Sequence, residues 1–307
     1  MHDVNFTRIW TSRKADHHDR PARPDIPPAL RAALTDLERL VSTRPDLVIL
    51  RPAIARLLEA TFADPGAPVP GFGRDEANTP FLLERIKEGW AQDIPALRVV
   101  PPAFDESRLL KRTVALLSCS EPENIRAEQL RDFIGDDPAR IALLVQKALA
   151  DEDGIAAYLQ SANLDVSFST SMLRLILLGE LGDWSDRICA HLNEATWQNG
   201  DCPVCGALPG LGESRGLEQR RVLRCGRCGA GWPGNRLRCP FCGENNHQAL
   251  RVLATEEDQG KYHLFLCDGC GGRLKVITTL SALSPPGLIL AEFAMLHLDW
   301  IEPREIA

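Results

Sequence analysis

The sequence predicts an α+β molecule: an all-helical N-terminal domain, two tandem rubredoxin-like or zinc-ribbon-like metal-binding modules, and a C-terminal helix. Three observations carry this prediction. Helix-period apolar stripes and helix-start signals fill the first two-thirds of the 307 residues, and short β-type runs between turn signals follow Asn199-Gly200. Eight of the ten cysteines then fall between Cys202 and Cys270. The chain divides accordingly into a flexible arm (1–28), a helical domain (29–198), a first CxxC/CxxC module (199–236) and a second such module with the C-terminal helix (237–307).

The arm is polar, with prolines at 21, 24, 27 and 28. Leu30, Leu34, Leu37 and Val41 then recur at helical spacing and make one apolar stripe. DPGAPVPGFG, from Asp64 to Gly73, reads as a loop. Asp137 followed by Pro138 signals a helix start, and Ile141, Leu144, Val145, Ala148 and Leu149 continue that helix. Phe168 to Leu181 is apolar nearly all round, the pattern of a central helix enclosed by others, and Ser185 to Trp197 is expected to form the last helix before the cysteines. Beyond Asn199 the β-type runs are Arg220–Arg224, Leu250–Leu253, Tyr262–Leu266 and Leu274–Thr278. After Pro285-Pro286 an apolar, helix-like tail from Leu288 to Trp300 is expected to pack back on the molecule.

Composition narrows the class. With 44% hydrophobic residues, 25% charged residues and a net charge of −7, the chain has material for a core and does not read as a disordered or nucleic-acid-coating protein. The N-terminal stretch lacks an apolar segment of the secretory type. The longest apolar run, Met172–Leu178, is broken by Arg174 and ends at Gly179-Glu180, so no membrane insertion is expected. The expectation is a cytoplasmic chain, where clustered cysteine pairs serve as metal ligands or redox groups rather than disulfides.

The pairs are Cys202-Pro-Val-Cys205, Cys225-Gly-Arg-Cys228, Cys239-Pro-Phe-Cys242 and Cys267-Asp-Gly-Cys270, each followed by glycine. Two residues between thiols let one tight turn present both sulfurs to a single ion, and two such turns complete a tetrahedral S₄ site. The following glycine lets the backbone take a positive φ, so that amides point at the sulfurs. Nineteen residues separate Cys205 from Cys225 and 24 separate Cys242 from Cys267, each enough for a hairpin, whereas only ten separate Cys228 from Cys239. The pairs therefore group as Cys202/Cys205/Cys225/Cys228 and Cys239/Cys242/Cys267/Cys270, with an interleaved pairing as the alternative. Four thiolates leave a charge of −2 around a divalent ion and −1 around ferric iron. Arg224, Arg227, Arg236 and Arg238 stand beside the ligands and either offset that charge or lie solvated at the surface. Tetrahedral S₄ suits two mononuclear iron ions and, alternatively, zinc.

Other constellations are weaker. Gly212-Glu213-Ser214-Arg215-Gly216 matches the G-x-S-x-G nucleophile elbow in letters, but its place between two cysteine pairs reads as a flexible hairpin tip with no room for a parallel sheet. His247 and His263 lie outside any ligand spacing. Cys119 and Cys189 read as small buried apolar residues, Trp232 as a cover for the first site or as packing, and Glu256-Glu257-Asp258 as a solvated turn.

With the four pairs in place, the C-terminal third resembles the formate dehydrogenase accessory (formation) protein family, FdhE. The matching segments are Cys202-Pro-Val-Cys205-Gly, Cys225–Trp232 (CGRCGAGW), Arg238-Cys239-Pro-Phe-Cys242-Gly, Cys267-Asp-Gly-Cys270 with Leu274-Lys275, and Ala291–Leu298 (AEFAMLHL) followed by Asp299. Gly272-Arg273 stand where the family pattern has a tyrosine, a departure that touches no ligand. The resemblance implies a non-enzymatic cytoplasmic maturation factor for respiratory, molybdenum-containing formate dehydrogenase. Such a factor contacts the catalytic subunit around export and binds iron at the eight cysteines in a rubredoxin-like way. Nucleic acid is not among its expected partners, and a weak homo-oligomer is left open. A zinc-ribbon nucleic-acid-binding adaptor is the competing class. The arginines beside the cysteines support it, and the acidic total counts against it.

Overall fold

The computed structural model describes residues 26–64, 79–192, 197–255, 258 and 260–301. The arm up to residue 25, nearly all of the 64–73 loop, Glu256-Glu257 and the last six residues lie outside the described residues.

The first half is helical: α1 (Pro28–Thr43), α2 (Arg51–Phe62), α3 (Thr79–Trp90), the single turn α4 (Ala96–Val99), α5 (Glu106–Leu117), α6 (Ile125–Ile134), α7 (Pro138–Ala150), α8 (Glu152–Ser161) and α9 (Val166–Cys189). A short 3₁₀ turn, Pro45–Leu50, joins α1 to α2. Side-chain caps start the later helices. Asp105, Asn124, Asp137, Asp151 and Asp165 each accept a hydrogen bond from an amide of the first turn, which satisfies a donor that would otherwise have no partner. The apolar stripe of α1 buries Leu30, Ala33 and Leu37.

α9 is the central helix that its all-round apolar sequence predicts, with Leu173, Ile176, Leu177, Leu178, Leu181 and Trp184 buried. It runs on through Ser185 to Cys189, so Ser185–Trp197 is not a separate helix; residues 193–196 lie outside the described residues. Continuation costs less than a new start, because each added residue gains a backbone bond without a new nucleus. Two arginines of α5, Arg108 and Arg112, converge on the buried Glu180 of α9 at 2.8 and 2.9 Å and join the two helices.

The second half is one mixed sheet. Its strands are β1 (Leu211–Arg215), β2 (Arg220–Arg224), β3 (Gly231–Pro233), β4 (Leu250–Leu253), β5 (Tyr262–Cys267) and β6 (Arg273–Thr279), in the order β3-β2-β1-β6-β5-β4. All neighbours are antiparallel except β1 and β6, which run parallel with Gly212 opposite Val276. The sheet therefore draws strands from both sides of the gap between Cys228 and Cys239.

Gly212 to Arg215 lie in a central strand rather than a flexible tip, and one of its neighbours in the sheet, β6, is the parallel strand for which the cysteine spacing left no room. A polar sequence is stable there because Glu213, fully buried, accepts from Arg224 at 3.1 Å, Arg215 at 3.1 Å, Thr279 Oγ1 at 3.0 Å and the Leu283 amide at 3.3 Å. No elbow exists: β1 ends in a turn at Gly216 that leads straight into β2.

Alternation sorts the sheet residues between two cores. Phe265, Leu274, Val276 and Leu223 join a core shared with α3–α9 and the first four cysteines. Leu264, Leu266, Ile277 and Leu211 join a second core with α1, α2 and the C-terminal tail. That tail is α10 (Pro285–Ala294), capped by Ser284 and opening on two prolines, followed by a 3₁₀ turn at Leu296–Trp300. It packs back as expected. Arg273 donates to the carbonyls of Leu298 and Ile301 and fastens the tail. Asp258 is not solvated: it is buried and bonded to Thr255 at 2.7 Å and to His297 at 3.0 Å, and Arg44 reaches the other ring nitrogen of His297.

Candidate metal centres

Each cysteine pair forms the same local structure. The amide of the first cysteine donates to the carbonyl five residues on: Cys202 to Ala207, Cys225 to Ala230, Cys239 to Glu244 and Cys267 to Gly272, at 2.8–3.0 Å. The amide of the following glycine donates back to the carbonyl of the first cysteine, again at 2.8–3.0 Å. Gly206, Gly229, Gly243 and Gly271 hold φ between 71° and 80°, which a side chain would strain. Amides inside the turns point at sulfur: Val204 N to Cys202 Sγ at 3.4 Å, Arg227 N to Cys225 Sγ at 3.3 Å and Phe241 N to Cys239 Sγ at 3.4 Å.

The turns assemble in the grouping that the spacing favours. Cys202, Cys205, Cys225 and Cys228 bring their sulfurs within 4.8 Å of one another, as do Cys239, Cys242, Cys267 and Cys270. The closest cross-turn separations are 3.6 Å (Cys202–Cys228) and 3.4 Å (Cys205–Cys225) in the first group. In the second they are 3.8 Å (Cys239–Cys270) and 3.7 Å (Cys242–Cys267). All ten cysteines are free thiols, and these distances are far beyond a disulfide bond. A tetrahedron with metal–sulfur bonds of about 2.3 Å has an edge of about 3.8 Å. The donor set and its spacing therefore fit one four-coordinate ion per group, iron or zinc alike.

Electrostatics point the same way. In the first group burial pushes the Cys202 thiol up, while three neighbouring thiols and the Cys228 amide outweigh burial at Cys225 and hold it well down. In the second, burial raises Cys239 to about 12, and amides of Cys270 and Gly269 with the Cys239 thiol lower Cys267 against the cost of burial. In each group neighbouring thiols and amides hold one thiol low, so the quartet as a whole carries negative charge that a cation neutralises.

The two groups differ in surroundings. The first is enclosed, with every cysteine at most 5% exposed. The helical part grips its leading turn. Trp90 Nε1 of α3 and the Ala96 amide both donate to the Pro203 carbonyl at 2.8 Å, and the Leu97 amide donates to Val204 at 2.9 Å. These amides belong to the first turn of α4, whose donors are otherwise unmet. The second group keeps Cys239 and Cys267 buried and leaves Cys242 and Cys270 exposed. A cavity of about 610 Å³ opens beside it, bordered by Trp197, Leu208, Leu223, Phe241 and Cys242. The groups meet where Gly200 lies against the Pro240 carbonyl, an approach too close for any side chain at 200.

Of the four flanking arginines, two act within the turns. Arg224 is buried, pairs with Glu213 and donates to the Gly229 carbonyl at 2.9 Å. Arg238 makes the matching contact with the Gly243 carbonyl at 3.3 Å. Each stands immediately before the first cysteine of its pair, a repeated Arg-Cys signal that spacing alone does not interpret. Arg227 is buried beside Cys228, and Arg236 donates to the Glu218 carbonyl. Trp232 is buried in the same core as the first four cysteines. His247 is exposed, and neither it nor His263 joins a ligand group among the described residues. Cys119 and Cys189 are half-buried rather than buried, and burial raises both thiols. The gripping residues Trp90, Ala96 and Leu97 carry no sequence signal that links them to the cysteines.

No family model matches the chain. Protein FdhE of Escherichia coli O127:H6 (strain E2348/69 / EPEC) is 32% identical over 207 residues, covering 64% of this chain and 61% of that protein. The FdhE homolog of Aquifex aeolicus (strain VF5) is 27% identical over 124 residues, covering 38% of this chain and 43% of that protein. The match thus spans about three-fifths of the first relative and less than half of the second. The crystal structure of the FdhE protein from Pseudomonas aeruginosa shares the fold, with a TM-score of 0.55 at 23% identity over 88% of this chain and 89% of that one. These relatives support the FdhE family for this chain. Among the described residues no helix is long and apolar enough to cross a membrane.

Proposed function

We propose that this chain is a non-catalytic formation factor for a respiratory formate dehydrogenase, acting in the cytoplasm by binding the catalytic subunit and carrying two Cys₄ iron sites. The observation that carries the reading is the pair of four-sulfur groups, each at tetrahedral spacing, within a chain related to FdhE proteins. Cys202, Cys205, Cys225 and Cys228 hold one ion, and Cys239, Cys242, Cys267 and Cys270 hold the other. Sulfur-ligated iron supplies one-electron chemistry when bound.

The rest is the work of this chain's own residues. The first quartet ties residues 29–198 to the sheet, because Trp90, Ala96 and Leu97 hold its leading turn in a shared core. The second quartet faces outward, with Cys242 and Cys270 open to a client. Arg238 fixes the Gly243 carbonyl there and keeps the amides of that turn aimed at sulfur.

The test is anaerobic co-purification of the full chain with the catalytic subunit, together with visible spectra of the oxidised and reduced protein. Stoichiometric capture and reversible thiolate-to-iron absorption are expected. A colourless protein holding two zinc ions would defeat the iron assignment, and failure to retain the subunit would defeat the client assignment.

A further inference from the structure

A groove of about 1060 Å³ lies between the end of α9, the β1–β2 turn and the β3 edge. Its rim carries three leucines that the fold leaves in water: Leu217 (96% exposed), Leu280 (83%) and Leu237 (70%). Isolated exposed leucines are ordinary, but three around one concavity give it an apolar rim.

The charge of the groove is the second observation. Arg215 and Arg220 line it and are matched by Glu213 and Glu218. Arg221 and Arg236 also line it, and no carboxylate among the described residues pairs with either. Two cations therefore face one concavity on a chain whose net charge is −7. Arg221 is held in place: its guanidinium stacks on the Phe265 ring at 4.9 Å, and its Nη1 is buried without a hydrogen-bond partner. Burial and the nearby Arg236 charge together pull its pKa down to about 10, the mark of a site that lacks an anion.

Trp232 is the third. It lines the same groove at 1% exposure, and its indole N–H likewise has no hydrogen-bond partner. At that exposure the indole forms the floor of the groove, and the groups left to meet a ligand are the guanidinium of Arg221, held without a carboxylate, and the exposed Arg236. Buried polar groups are ordinarily satisfied, so their shared concavity points to an acceptor that arrives from outside. A planar fork beside exposed leucines is also among the residue types that dominate binding energy at protein interfaces.

We infer that this groove is the docking site for an acidic, apolar segment of the catalytic subunit, a peptide whose carboxylate is received by Arg221 and Arg236 while its apolar side chains cover Leu217, Leu237 and Leu280. The inference rests on the proposed function for the identity of the partner and on the groove alone for its chemistry. Carboxylate is favoured over a phosphate backbone because the site is one concavity with an apolar rim and not a basic track.

The test uses the full, metal-loaded chain in a binding titration with the catalytic subunit. Arg221→Gln with Arg236→Gln is expected to weaken binding about 10- to 100-fold, the scale of lost charge-assisted hydrogen bonds. Leu217→Ser with Leu280→Ser is expected to weaken it about tenfold, with metal content unchanged. Arg236→Gln and the leucine pair alter exposed side chains, so they keep the test valid if the Arg221 change disturbs folding. Overlapping peptides of the subunit, titrated directly onto the chain and in competition with the subunit, form a second arm: those with carboxylates should bind and compete, and their Gln/Asn counterparts should not. Equal binding by wild type and variants overturns the groove while leaving the proposed function standing. No binding by wild type overturns the proposed function, and the peptide arm then decides the groove by the same Arg221/Arg236 dependence. Competition by inorganic phosphate or single-stranded RNA as strong as by acidic peptide overturns the carboxylate assignment.

Discussion

The contrast between an enclosed and an open sulfur group predicts a large difference in how fast the two groups surrender their metal. A chelator reaches Cys242 and Cys270 directly, since both are exposed. It reaches the first group only after the turns at 202–205 and 225–228 part from their supports. Four hydrogen bonds that brace the turns must break: Trp90 to Pro203, Ala96 to Pro203, Leu97 to Val204 and Arg224 to Gly229, all at 2.8–2.9 Å. At about 1 kcal/mol each, opening costs about 4 kcal/mol, which is about a thousandfold in the population of the open form. The assay is anaerobic mixing of the metal-loaded chain with excess chromogenic chelator, followed by absorbance. Two phases of equal amplitude are expected, separated by about three decades in rate. Cys239→Ser with Cys242→Ser should abolish the fast phase alone. Trp90→Phe removes one of the four bonds and should speed the slow phase at least about fivefold while leaving the fast phase unchanged. A single phase, or a slow phase that belongs to Cys239–Cys270, would refute the reasoning.

Two further predictions concern the frame around the sites. Glu213→Ala leaves Arg224 buried without its carboxylate and should cost about 3–5 kcal/mol, a fall of roughly 6–10 °C in the melting midpoint by calorimetry; a fall under about 2 °C would mean that the network contributes no more than about 1 kcal/mol and would contradict this account. At Asp258 burial favours the neutral acid, but the bonds from Thr255 and His297 outweigh it and hold the carboxyl below its ordinary 3.8. Its contribution is therefore present above about pH 3.8 and lost as pH falls through the lower folded value. Acid titration of stability should show this loss in the wild type and a smaller one in Asp258→Asn, and identical acid limbs would count against it.

How much of this was legible depends on the range of the forces involved. The cysteine turns are local: two residues between thiols and a following glycine define the whole hydrogen-bond pattern, so Cys202 through Cys270 could be read as ligand pairs directly. Capped or striped helices such as α1 and α7 are legible for the same reason, as are β5 and β6 with their aromatic and β-branched residues and β2 and β4 as short apolar runs between turn signals. β1 is not. Its Gly-Glu-Ser-Arg sequence is that of a turn, and it becomes a central strand only because Arg215, Arg224 and Thr279 meet Glu213 there. β3 is three residues long and held by Trp232 against Leu223. The end of α9 is hidden in the sequence because Ser185 and Asp186 resemble a helix start, whereas the helix runs through them to Cys189. The difference in burial between the sulfur groups had no local signal, since both have the same letters at nearly the same spacing. It follows from where α3 and α4 come to rest.

Metal stoichiometry in paired variants tests the central claim most directly. Elemental analysis of anaerobically purified protein should give two ions per chain for the wild type. It should give one for Cys202→Ser with Cys205→Ser, and one for Cys239→Ser with Cys242→Ser, with the remaining ion still bound by four thiolates. Loss of both ions from either variant would mean that the pairs interleave in a single shared centre. Full retention in either would mean that the quartets are not where the metal resides.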